Sequence, residues 1–460
     1  MDLFRTKIIG SDVHADTGLH RTLGAGDLVL LGIGAIIGAG VFVLTGVAAA
    51  TQAGPALVLS FVLAGLACVF AGLSYAELAA AVGGCGSAYG YAYATLGEIV
   101  AWIIGWALML EYGMAVSAVA VGWSGYFNNA LTAGGIHLPD TLLAAPHSGG
   151  LVNLPAMGII ILLGFLLAIG VKNSARFNAA IVFIKLTAIA IFVIIALGNV
   201  DPDNWTPFMP FGWQGIVNGA ALIFFAYIGF DAVSTAAEEA RNPQRDMPIG
   251  IIGSLAICTA VYMIVAALLT GIAPYPTLNT PSPVSQALLT LGYQWGAAVV
   301  AAGAIAGLTS VMLVMYYGQT RVLFAMSRDG LLPQRFATVS PRTRTPTFVI
   351  LLTGAITSIV AGFAPIGAIA QLVNIGTLFA FVIVCVGVVV LRYKRPDLHR
   401  PFRVPFSPVL PLLGVIFCLY LMVSLPAVTW FYFLLWMAFG LVIYGGYSAR
   451  ASRRTGAVGG

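Results

Sequence analysis

Charge is scarce in this 460-residue chain, in which Asp, Glu, Lys and Arg make up 8% of the residues and hydrophobic types 60%. Soluble domains carry about 25% charged residues, so a water-exposed globular fold is excluded. A mean hydropathy of +0.98 predicts a polytopic membrane protein instead. Histidine is nearly absent from the apolar sequence: His14, His20, His137, His147 and His399 all fall in predicted tails or loops. A membrane enzyme would need a His, Cys or acid constellation facing a cavity, and the chain offers none. Cys68, Cys85, Cys258, Cys385 and Cys418 lie in predicted spans or a cytoplasmic loop without metal-ligand spacing, so they read as small core residues. No metal and no cofactor is implied. The stretch from Met1 to Asp27 lacks a cleavable apolar leader and holds Arg5, Lys7 and Arg21, so the N-terminus is expected to stay in the cytoplasm.

What is abundant is apolar sequence in runs of spanning length, about 17 to 25 residues. Such runs fall at 27–51, 55–82, 98–130, 155–171, 177–198, 214–239, 248–272, 290–320, 347–363, 367–391, 407–425 and 428–447, which predicts twelve spans. Basic residues test that count, because cytoplasmic loops collect Lys and Arg. Arg5, Lys7 and Arg21 precede span 1, Lys172 and Arg176 separate spans 4 and 5, and Arg241 and Arg245 separate spans 6 and 7. Further groups follow spans 8, 10 and 12, while the opposite loops contain none. A miscount by one would scramble this segregation, so both termini are expected in the cytoplasm. The net charge of +5 then follows from topology; anionic membrane lipid is the expected partner, and nucleic acid is not.

Span 1 contains an anomaly. Gly32, Gly34, Gly38 and Gly40 occupy four of nine positions within an otherwise apolar run. Each costs a helix interior about 1 kcal/mol relative to alanine, and opened backbone in lipid must find partners inside the protein. Small residues at Gly34 and Gly38 could simply admit a neighbouring helix, and the spacing does not suit a dinucleotide-binding turn. A break here would instead place the amides of Ala39, Gly40 and Val41 at the positive end of an outer half-helix, suited to a carboxylate. Span 6 holds the counterpart, Phe224-Phe225-Ala226-Tyr227-Ile228-Gly229-Phe230-Asp231, with a glycine and a carboxylate at mid-depth. Two interrupted helices five spans apart and opposite in direction point to an inverted-repeat transporter with a central site.

The run Ala226-Tyr227-Ile228-Gly229-Phe230-Asp231, followed by Glu238-Glu239-Ala240-Arg241-Asn242-Pro243-Gln244-Arg245 and Pro248-Ile249-Gly250, resembles the span-6 signature of the cationic amino acid transporter family within the amino acid–polyamine–organocation superfamily. Gly38-Ala39-Gly40-Val41-Phe42-Val43-Leu44-Thr45-Gly46 is similar to its span-1 motif. Twelve spans match bacterial members. The resemblance implies an all-α integral membrane protein with a LeuT-type five-plus-five inverted repeat. Residues 1–26 would form a cytoplasmic tail, 27–198 repeat one, 214–392 repeat two, 407–447 two peripheral spans and 448–460 a second cytoplasmic tail. It also implies that an L-amino acid carboxylate meets the span-1 backbone at Ile36, Ala39 and Gly40. The ammonium would meet carbonyls near Phe225, Ala226 and Ile228, and Met315 would face the substrate side chain.

Few ionisable groups lie at depth, and each costs several kcal/mol, roughly, unless paired or wetted. Lys185 lies about 13 Å beyond Arg176, too deep for easy snorkelling. Burial favours the neutral form of an amine, which makes proton exchange accessible. In proton-coupled relatives a span-5 lysine takes the place of a sodium ion, and Lys185 matches that position; alternatively it holds span-1 carbonyls in place. Glu111 lies near the predicted midplane and could protonate, pair with a substrate cation or bond a helix as a neutral acid. Asp231 is placed to cap the inner half of span 6, and Phe225 could gate the substrate or serve packing. The expected function is proton-coupled uptake of L-amino acids at the inner (plasma) membrane by alternating access. A thioether at Met315 favours small neutral side chains such as alanine. Arginine or lysine transport, or exchange without net proton flow, are the alternatives.

Overall fold

The computed structural model describes residues 4–6, 23–82, 87–133, 135–169, 175–234, 240–340, 343 and 345–448. Most of both predicted tails, and the Glu238-Glu239 part of the span-6 signature, lie outside the described residues. Among the described residues the secondary structure is helical, with two isolated β-bridges and no strand. The segment Gly40–Ala81 and the helices α5 (Glu98–Ala133), α10 (Pro243–Ile272), α12 (Gln294–Arg328) and α14 (Ile366–Lys394) are long and apolar enough to cross a membrane, as are the stretches Ala180–Leu197 and Ala427–Ser448. Four shorter apolar helices accompany them: α1 (Ala25–Ile36), α6 (Leu154–Ile169), α13 (Thr347–Phe363) and α15 (Val409–Val423). Backbone polar groups have no water to turn to in lipid, which is why an apolar chain of this composition resolves into helices.

Every apolar run contains helix. The long run at 98–130 forms one unbroken helix, and the close pair on either side of Pro365 forms two, with Pro365 at the N-cap of the second. Among the described residues, only the runs at 27–51 and 214–239 are interrupted in mid-course. The first divides into α1, a wide π turn at Gly40–Leu44, the short α2 (Thr45–Ala48) and a second π turn at Ala49–Ala53. The second divides into α8 (Gly212–Ile223), a 3-10 turn at Phe224–Tyr227 and α9 (Phe230–Ser234).

Burial sorts the helices. In their most apolar windows α5 is 72% buried and α14 67%, against 22% for the window containing α16 (Ala427–Ile443), so α5 and α14 are interior posts and α16 stands at the rim. The broken segments pack between α5, α14, α3 (Leu57–Ala81) and α10. α16 is nonetheless pinned. The indoles of Trp106 and Trp436 stack at 4.7 Å, each donating its N–H to the other's backbone carbonyl at 2.8 and 2.9 Å, and Trp102 stacks on Trp106 and donates to Gly440.

The N-terminal end of α5 is crossed by residues 4–6. The Glu98 amide donates to the Arg5 carbonyl at 3.1 Å, and its carboxylate pairs with the Arg5 guanidinium and accepts from Tyr444 at 3.0 Å. Nearby, at the C-terminal end of α3, Glu77 is buried. Its carboxylate takes Arg392 through Nε at 3.0 Å and the Val404 amide at 2.7 Å, with Arg400 Nε at 3.6 Å. The Arg400 guanidinium also donates to the carbonyls of Leu391, Arg395 and Leu398, so one side chain folds the connection after α14 onto its own helix end. A short helix, α4 (Ser87–Thr95), precedes α5; residues 83–86 ahead of it are outside the described residues.

Candidate functional site

α1 stops where its glycines thin the helix. The Ile37 amide still reaches Ile33 at 3.0 Å, but Ile37 itself is extended (ψ 104°) and the next regular turn begins at Gly40. Carbonyls released by that break have found side chains. Lys185, fully buried on α7 (Ala175–Leu197), donates to Gly34 at 2.6 Å and Ile37 at 2.8 Å. The Tyr262 hydroxyl on α10 lies 2.8 Å from the Ile36 carbonyl.

The span-6 break is built the same way. After the 3-10 turn, Ile228 is extended (ψ 134°) and Gly229 adopts φ +118°, a conformation that side chains rarely adopt. The Tyr262 hydroxyl is 2.8 Å from Ala226 O as well. A hydroxyl has one proton, so it donates to one broken helix at a time while touching both. At the end of α8 the Asn374 amide, from α14, donates to Ala221 at 2.7 Å and Leu222 at 3.0 Å. The two breaks meet face to face. A Cβ on Gly40 would lie 2.2 Å from Ala226 Cα, and one on Gly229 would lie 2.8 Å from Ala35 O.

Between them lies a small, partly open cavity. Of the residues expected at the site, Ile36, Ala39, Gly40, Phe225, Ile228 and Met315 line it. Ala226 does not: it backs onto Gly40 and turns its carbonyl to Tyr262. Glu111 is not on the wall either. It sits one helical turn from the wall residue Ala115 on α5, buried against Gly376 of α14, with Thr377 beside it, and neither carboxylate oxygen has a hydrogen-bond partner among the described residues. Lys185 stands behind the span-1 break rather than in the cavity. Asp231, in the first turn of α9, accepts the Tyr112 hydroxyl at 2.7 Å.

The sequence reading missed Ala115, Val119 and Val311 as wall residues, and Tyr262 and Asn374 as partners of the broken backbone. The last two carry a usable signal, since a polar side chain deep in an apolar run needs a partner. Among the described residues no charged or hydroxyl side chain lines the cavity; its polar surface comes from the backbone of the two breaks. Among the described residues no cluster of His, Cys, Asp or Glu could hold a metal ion.

Two opposed helix ends around an apolar cavity suit a small zwitterion, carboxylate to amides and ammonium to carbonyls. The amino acid permease family profile matches residues 23–444. The chain is 52% identical to the methylthioribose transporter of Bacillus subtilis over 94% of its length and 95% of that protein. It is 51% identical to the branched-chain amino acid permease BcaP of the same species, over 98% of each. It is 40% identical to the vacuolar cationic amino acid transporter 4 of Arabidopsis thaliana over 82% of its length and 64% of that protein. With that profile running from the start of the first broken helix to the end of α16, the chain belongs to the amino acid permease family and is a transporter of the amino acid–polyamine–organocation superfamily.

Proposed function

We propose that this permease takes up small neutral L-amino acids together with protons, by alternating access in a twelve-span, five-plus-five inverted-repeat fold. Both termini would face the cytoplasm and the membrane would be the inner (plasma) membrane. The observation that carries the substrate class is the cavity wall. Ile36, Ala115, Val119, Phe225, Val311 and Met315 offer apolar contact and no counter-charge. A guanidinium or ammonium side chain would be buried there unpaired at a cost of several kcal/mol, roughly. Such a wall favours alanine and the branched aliphatic amino acids over arginine and lysine. The printed name of the 51% identical relative, a branched-chain amino acid permease, supports the aliphatic class.

The carboxylate would lie against the amides heading the outer half of span 1 at Ala39 and Gly40. The ammonium would lie against the carbonyls of Phe225 and Ile228, while the Ala226 carbonyl, turned to Tyr262, takes no part. Proton coupling rests on Lys185. A neutral amine has two N–H groups, enough for Gly34 and Ile37, and the ammonium adds a third together with a charge. Gaining and losing that charge at the span-1 break would couple the proton to the movement of α1. No side chain at the site is placed for covalent chemistry, so transport without chemical change of the substrate is the expected activity.

Counterflow in liposomes with the twenty amino acids tests this, with methylthioribose added as a competitor because a 52% identical relative carries that name. Preferred exchange of alanine, valine or leucine is the expected result. Strong arginine uptake, or inhibition by methylthioribose alone, would overturn the substrate assignment.

A further inference from the structure

Asn374 has no role in the transport cycle as described so far. It stands about a third of the way along α14, fully buried and just ahead of a stretch that is apolar from Leu378 to Leu391. Its Nδ2 donates twice to the final turn of α8, at Ala221 and Leu222, while its Oδ1 is buried without a hydrogen-bond partner among the described residues. An unpartnered buried acceptor costs about 1–3 kcal/mol. A structural contact would be cheaper with serine or with an apolar residue, so the position retains an amide for its two donors.

Those donors act on the half-helix whose end supplies the ammonium acceptors. Ala221 and Leu222 lie just before the 3-10 turn that presents Phe225 and Ile228 to the cavity. Two turns further along the same face of α14, the Phe381 ring packs 5.7 Å from Phe224 and 4.9 Å from Phe230, one on each side of the Ile228-Gly229 break. Span 10 thus grips span 6 at both ends of its interruption, by hydrogen bonds before it and by aromatic contact across it.

We propose that Asn374 is a positioning residue for substrate recognition: by fixing the last turn of the outer half of span 6, it sets where the Phe225 and Ile228 carbonyls meet the substrate's ammonium group. This rests on the amino acid uptake proposed above. Without the amide, the carbonyls of Ala221 and Leu222 lose two donors, the end of α8 is free to rewind towards regular helix, and the acceptors shift. Because a near-attack-type placement within about 0.5 Å matters for such contacts, affinity falls before turnover does.

The test is counterflow by purified protein in liposomes, using whichever amino acid the wild type exchanges best, with KM and the maximal rate per folded protein recorded separately. Asn374→Leu is expected to raise KM about tenfold, the equivalent of one to two lost hydrogen bonds, with the maximal rate within about twofold. Phe379→Leu, on the face of α14 that meets Phe433 of α16, is the control for general disturbance of the helix and should leave KM unchanged. Should Asn374→Leu fail to fold, Asn374→Asp keeps the shape; it donates once when protonated and not at all when ionised. Its KM relative to wild type should therefore exceed one. An unchanged KM in the folded Leu variant, or a KM ratio of one for Asp, overturns the assignment. If the wild type moves no amino acid of the panel, the uptake reading falls, and this inference with it.

Discussion

A side-chain carbon on Gly40 would sit 2.2 Å from the Cα of Ala226. The obstacle is backbone, so no rotamer change relieves it, and the outer half of span 1 can approach the span-6 break only because position 40 has no side chain. Gly40→Val should therefore abolish alanine counterflow, with at least a hundredfold loss of rate, roughly the effect of misplacing a contact by an ångström. Gly40→Ala should already show most of it. Thermal melting of the purified variant must remain cooperative for the result to count, and wild-type uptake by Gly40→Val would remove the two breaks from the binding site.

The Lys185 ammonium is held by the carbonyls of Gly34 and Ile37. Lys185→Ala leaves those two acceptors buried and unpaired, at a cost of about 2–4 kcal/mol, so a lower Tm is expected. The functional readout is separate from it. In liposomes with an inward acid gradient, wild-type uptake should be stimulated several-fold over the no-gradient rate, by roughly the tenfold that one pH unit of driving force allows, and the variant should show no stimulation. A folded variant still driven by the gradient would assign the proton to another group.

Met315 lines the cavity beside Gly229, where its methyl group lies 2.9 Å from the position a Cβ would take. Met315→Ser removes bulk and adds a hydroxyl, which should admit water and a longer polar side chain. The ratio of arginine to alanine uptake should rise about tenfold, or ~1.4 kcal/mol of relative binding, with the alanine KM rising less. An unchanged ratio would mean that other wall residues limit the pocket.

Glu77 is the shared partner of Arg392, Arg400 and the Val404 amide. Replacing it with alanine strands a nearly buried Arg400 guanidinium, whose side chain is 4% exposed, beside an Arg392 that remains 26% exposed. Removing one member of a fully dry pair costs about 3–5 kcal/mol; the exposure of Arg392 brings the expectation to about 2–3 kcal/mol. Tm should fall by several degrees, roughly, with KM for alanine unchanged. A change in KM with an unaltered Tm would instead give this cluster a part in the transport cycle.

Much of this architecture is legible in the sequence because its signals are local. Glycine at 38, 40 and 229 marks the interruptions, since each weakens its helix wherever the neighbours lie. Lys185 is conspicuous because a lone charge in lipid needs a reason. What stayed hidden depends on helix rotation. Tyr262 and Asn374 sit in long apolar runs, and nothing in those runs says that one hydroxyl reaches two broken helices or that one amide reaches the end of α8. Glu111 shows the converse. Its approximate depth is readable from the count of residues along α5, but Ala115, one turn along and on nearly the same face, lines the wall while Glu111 lies beyond it against α14, and the sequence does not say at which turn the cavity ends. The fold-back of Arg400 is hidden for the same reason, as its partners are carbonyls that any residue could supply.

The paired indoles that fasten α16 to α5 also form an optical reporter. Trp106 and Trp436 lie 4.7 Å apart with ring planes 20° from parallel, close enough for their transitions to couple and give a near-ultraviolet circular dichroism signal distinct from that of isolated tryptophans. Because both indoles are tied to opposite backbones, that signal should hold constant as substrate binds and the broken helices rearrange. A signal that alternates with substrate would identify the outermost helix as a moving part.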